Sequence, residues 1–81
     1  MTFKEKYEKC LKWHEKVLVI ELYHLVQTHK NKNWTLSKTA EYFSISMGLV
    51  SENLKLASAI HQNERIMNLD TRQEALRRIN G

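Results

Sequence analysis

Met47, Gly48, Ser51, Glu52, Lys55 and Ser58 fall on one side of a helix when residues 47–58 are projected at about 100° per residue. They are the residue types that meet base edges in a DNA groove. Gly48 lets the backbone come close to the groove floor, and Ser51 donates to or accepts from any base edge. Lys55 suits guanine or a phosphate, Glu52 accepts from the cytosine amino group, and Met47 touches a thymine methyl. Ser46, one residue before them, can cap the helix and hold a phosphate together with the amides behind it. Lys38 completes the set as a phosphate-binding cation. A solvated helix face has the same composition, and such a face also serves protein docking.

Other groupings promise less chemistry. Cys10 and His14, four apart, supply half of a zinc site, but His24, His29 and His61 follow no finger-like spacing. Glu21 lies in an apolar stripe near His14 and reads as a structural polar pair. No nucleophile, glycine loop or second carboxylate joins it, so no catalytic constellation is expected. Trp13, Trp34, Tyr7, Tyr23 and Tyr42 can stack on single-stranded bases, yet they recur at helical spacing and read as core. The sequence therefore predicts a protein that is not an enzyme, with no metal, no cofactor and no small-molecule substrate.

Residues 35–56 are the elements that must position the strip. Thr35 can cap a short helix whose apolar face is Leu36, Ala40 and Phe43. Ala40 is small enough for two helices to cross closely. Ser44 then sits at the reversal, Ile45 plugs the gap between helices, and Ser46 caps a second helix. In that helix Leu49, Val50, Leu54, Leu56, Ala57 and Ile60 form the packing sector. The layout is a helix-turn-helix, the arrangement that lays its second helix in the major groove.

This stretch resembles the helix-turn-helix of plasmid and chromosome partition proteins of the ParB type. The resemblance runs through Thr35, Ala40, Phe43, Ile45, Ser46, Val50, Asn53, Leu54 and Leu56, with VSENLKLA its most specific part, and covers about a quarter of the chain. It departs at Ser44, where the family usually has glycine, so Ser44 must take a left-handed or bridge conformation at some strain. The nucleotide-binding domain that precedes the module in partition proteins, with its arginine-rich motif, has no counterpart within these 81 residues. The resemblance implies the fold and DNA binding, and nothing about nucleotide hydrolysis.

The flanks frame this core. Thr2 with Glu5 reads as a capping box opening one long helix to about Thr28–Lys30. Its main stripe is Phe3, Tyr7, Cys10, Leu11, Val17, Leu18, Leu22 and Leu25. A second apolar set, Trp13, Val19, Ile20, Tyr23 and Val26, makes the later half hydrophobic nearly all round, to be covered by the other helices or by a second copy. Asn31-Lys32-Asn33 ends the helix, with asparagine suited to a left-handed cap. Residues 61–68 form a loop or one loose turn anchored by Ile66 and Met67, and Asp70 with Gln73 caps a last helix whose buried edge is Ala75, Leu76 and Ile79.

At 81 residues the chain is read as one all-α domain, 1–81: a long N-terminal helix, a helix-turn-helix and a short C-terminal helix. A hydrophobic content of 42% without proline argues against disorder. The longest apolar run, residues 17–26, is about half of a membrane span, and a lone cysteine with no apolar leader points to a reducing cytoplasm. The formal charge of +4 sits outside the helix pair, where Lys38 and Lys55 balance Glu41 and Glu52. Phosphate contacts are therefore expected from flanking cations such as Lys4, Lys30 and Arg72. The reading is a homodimeric, sequence-specific binder of double-stranded DNA, a small regulator or partition-like factor of a bacterium, plasmid or phage. The alternative is an assembly module that keeps the scaffold without touching DNA.

Overall fold

Thr2 opens the first helix as its sequence requires. Its hydroxyl accepts from the Glu5 amide at 3.1 Å, while the Glu5 carboxylate accepts from the Thr2 amide at 3.2 Å. Helix α1 spans Phe3–Lys9 and α2 spans Trp13–Lys30 in the computed structural model, which describes residues 1–80. The expected continuous N-terminal helix is thus two helices, broken where Cys10 turns extended (φ −65°, ψ 129°). The break has a packing cause. A straight helix would hold the Phe3 and Tyr23 rings roughly 30 Å apart, twenty residues at about 1.5 Å each. Folded back, they meet edge to face at 5.5 Å, and Tyr7 reaches Phe43 at 5.2 Å. Leu11 in the connection is left 97% exposed.

Helix α2 ends at Lys30, but Asn31 stays extended (φ −142°) and takes no left-handed cap. Its side-chain oxygen instead accepts from the Asn33 amide at 2.9 Å and its carbonyl from the Trp34 amide at 3.0 Å, which together turn the chain. Helix α3 (Leu36–Phe43), a turn at Ser44-Ile45-Ser46 and α4 (Met47–Gln62) follow. A 3-10 turn, Glu64–Asn68, then buries Ile66, and α5 covers Arg72–Asn80. The cap of α5 is Thr71 rather than Asp70, its hydroxyl accepting from the Glu74 amide at 3.2 Å. The architecture is all-α, and among the described residues no helix is long and apolar enough to cross a membrane.

Two apolar clusters share α2 and α4 as their common walls. Val17, Leu56, Ala57, Ile60, Ile66 and Ala75 form one; Ile20, Tyr23, Ala40, Phe43 and Val50 form the other. The core-facing sector of α2 is therefore Val17, Ile20 and Tyr23, drawn mostly from what the sequence reading set off the main stripe. Leu22 and Leu25 of that stripe are 52% and 55% exposed. The phase of α2 follows the aromatic cluster: Tyr23 stacks on Tyr42 at 4.2 Å and meets Phe43 edge to face at 5.1 Å, which rotates the leucines outward.

Polar groups stitch the clusters together. Thr39, fully buried, accepts from the Trp34 indole N–H at 2.9 Å and lies 2.7 Å from His24 Nδ1. The Trp13 indole donates to the Leu69 carbonyl at 2.8 Å. The Arg72 guanidinium donates through Nε to the buried Asn53 amide oxygen at 2.9 Å and through a terminal nitrogen to Glu52 at 2.6 Å, fixing α5 to α4. Among the described residues, every buried side-chain polar atom has a partner, as a core this thin demands.

Candidate nucleic-acid interface

The helix pair is built by local bonds that its sequence supplies. Thr35 caps α3 by accepting from the Lys38 amide at 3.4 Å, and Ser46 caps α4 by accepting from the Leu49 amide at 3.1 Å. Between them Ser44 adopts φ 59° and ψ 45°, the left-handed conformation in which glycine is unstrained and serine is not. Two amide bonds hold it there: Ser44 N–H to the Glu41 carbonyl at 3.2 Å and Ile45 N–H to the Ala40 carbonyl at 3.0 Å. Ala40 is 4% exposed and sits beside Val50, where α3 meets α4.

The outward strip of α4 has no core partner. Val50, Asn53, Leu56, Ala57 and Ile60 turn inward, while Ser46, Met47, Gly48, Glu52, Lys55 and Ser58 are exposed and Ser51 is half-buried. Leu49 and Leu54, placed in the packing sector by sequence, are only half-buried, and Asn53 takes the inward position beside them. Met47 leaves 53% of its surface in solvent. Lys38 is exposed on α3, its ammonium 5.5 Å from the Trp34 ring centroid.

Glu52 has a structural partner that its position on the strip did not suggest. Its carboxylate is taken by Arg72 at 2.6 Å, so it neutralises a cation of α5 and holds that helix in place. Only Oε1 is engaged, and with 51% of the side chain in solvent the second carboxylate oxygen stays open as an acceptor. The same pair removes one negative charge from the strip, and α1 adds a positive one. The Lys4 ammonium lies 3.5 Å from Ser44 Oγ, and the Lys4 amide donates to the Tyr42 hydroxyl at 3.2 Å. A helix pair that is neutral by its own residues thus gains a cation at the turn from one flank and at Glu52 from the other. Neither placement was legible in residues 35–56 alone, because both depend on the break after Lys9 and the return of α5.

Gly48 stands out by what it does not do. A Cβ built there would meet only Ser46 Oγ, at an ordinary 3.9 Å, and its φ is not positive. No packing or backbone demand within the chain calls for glycine, although it costs a helix up to about 1 kcal/mol relative to alanine, less in the first turn. Gly48→Ala is accordingly expected to raise stability by a few tenths to about 1 kcal/mol, read by urea unfolding. If the strip meets DNA, the same substitution weakens binding, so stability and affinity move in opposite directions.

The remaining sequence candidates are dispersed. Cys10 lies at the end of α1, with its thiol donating to the Lys6 carbonyl at 3.0 Å, whereas His14 belongs to α2; they do not share a helix face. Burial pushes the Cys10 thiol up, with Glu15 adding to the shift and Lys16 opposing it. Glu21 pairs with His61 of α4 at 2.8 Å, not with His14. No cluster of three or more His, Cys, Asp or Glu suited to a metal occurs among the described residues. A cleft of about 530 Å³ opens between the α1–α2 connection and the 3-10 turn, lined by Trp13, Met67 and Leu69 with Asp70 at its rim. It converges no catalytic set. Family models, curated proteins and solved structures yield no match to this chain.

Proposed function

We propose that the protein binds double-stranded DNA, with the exposed strip of α4 entering the major groove and Lys55, Lys38 and Lys4 contacting phosphates. On this reading it is a regulator or partition-like factor that acts as a homodimer by occupying a site, in keeping with the ParB-type resemblance of residues 35–56. The observation that carries it is the outward face of α4. Six residues there are exposed and a seventh half-buried, on a helix braced by a strained but doubly bonded turn, with an unneeded glycine at its leading end. Cations delivered by α1 and α5 support it further by relieving the local neutrality of the helix pair.

Titrating a labelled random-pool duplex at several salt concentrations tests the proposal. Binding should weaken linearly in log–log terms as salt rises, and Lys55→Ala or Lys4→Ala should each lower that slope by about 1, one phosphate contact apiece. Unchanged slopes in both variants, or no binding near physiological salt, refute it. In the second case the chain is better read as an assembly module, a reading that the exposed leucines of α2 favour.

A further inference from the structure

Leu22 and Leu25 lie within about 60° of each other on α2, opposite the sector that carries Ile20 into the core, with Leu18 beside them partly buried against the first cluster. Leu22 and Leu25 are 52% and 55% exposed, turned outward by the Tyr23–Tyr42 stack and covered by no described element of the chain. We infer that this face pairs with the same face of a second copy, the two α2 helices running antiparallel about a two-fold axis through Leu22.

Two observations select that occupant. The first is charge. Glu15 lies in the first turn of α2 and His29 in the last, both on or beside the leucine face, with Lys30 following His29 at the helix end. Antiparallel pairing centred on Leu22 sets Glu15 of one copy beside His29 and Lys30 of the other, twice, whereas parallel pairing opposes like ends. The second is symmetry: an isologous contact needs a self-complementary patch, and leucine facing leucine at the axis provides one. The helix-turn-helix packs on the other side of α2, so pairing leaves both α4 strips uncovered. The dimer does not depend on the DNA reading and is measured without DNA.

Sedimentation equilibrium of the full chain from micromolar to millimolar concentration should show a monomer–dimer equilibrium. Leu22→Glu sets two carboxylates face to face at the axis and should weaken the dimer by roughly 30-fold or more, with the helical signal of the monomer unchanged because Leu22 lies outside the core. In a Cys10→Ser background, Leu22→Cys should oxidise to a disulfide-linked dimer. Leu25→Cys should not, since its two copies stand about 9 Å apart along the axis, beyond the roughly 7 Å a disulfide spans. A monomer at millimolar concentration, a dimer indifferent to Leu22→Glu, or cross-linking that favours position 25 over position 22 would overturn the proposal.

Discussion

Thr39→Val should destabilise the fold by about 2–3 kcal/mol, a large effect for a change that keeps size and shape. The hydroxyl is fully buried and serves two partners at once, the Trp34 indole at 2.9 Å and His24 Nδ1 at 2.7 Å. Valine offers neither a lone pair nor a proton, so a half-buried N–H and a ring nitrogen lose their bonds together. Urea unfolding at neutral pH measures the loss. Equal stability of Thr39→Val and the wild type would mean that water replaces both bonds.

The same network fixes a pH dependence. With the Thr39 oxygen accepting from Trp34, its proton is free for His24 Nδ1, which suits a neutral imidazole protonated at Nε2. Burial pushes His24 below its ordinary value. The unfolded chain then takes up a proton at higher pH than the folded one, so the contribution of His24 is complete above about 6.5 and is lost as pH falls through its folded value. His24→Asn, whose amide oxygen can stand near Nδ1, should flatten the acid limb of a stability–pH curve relative to wild type. A curve of unchanged steepness would assign that limb to other groups.

The helix pair was legible in the sequence because its signals are local. Thr35 and Ser46 bond amides three residues ahead, Ala40 lies at a contact only a small residue allows, and Ser44 had to take the left-handed turn, as it does at φ 59°. What failed depends on residues far apart. The break at Cys10–Lys12 carries no proline or glycine and exists because Phe3 and Tyr7 gain aromatic partners on α2 and α3. The rotation that exposes Leu22 and Leu25 follows from Tyr23 stacking on Tyr42, nineteen residues apart. Glu52 gained Arg72 as a partner and Glu21 changed partner from His14 to His61. A helical projection gives the direction of a side chain and not the arrival of another helix. Thr39 left no signal at all, since a threonine inside a helix is ordinary until its neighbours are known.

Ala40→Leu is expected to separate the scaffold from the strip it carries. Ala40 is 4% exposed among Ile20, Tyr23, Phe43 and Val50, and its carbonyl takes the Ile45 amide that fixes the turn at 3.0 Å. Three added carbons there cannot be absorbed by a rotamer change. They must push α3 from α4 or distort the turn, at a cost of about 1–3 kcal/mol and occasionally more. A small domain has only a few kcal/mol to lose, so the variant should melt far lower or fail to fold. Ser51→Ala and Lys55→Ala, on the strip of the same helix pair, should keep the wild-type melting temperature to within a few degrees, because neither removes a core contact. If the strip reads DNA, these two variants lose discrimination among duplex sequences while remaining folded, and Ala40→Leu loses binding only in proportion to its unfolding. Thermal melts followed by circular dichroism, beside duplex titrations of the three proteins, distinguish the two kinds of loss. Parallel loss of helicity in all three would mean that the outward face of α4 supports the fold and is not free to meet a partner.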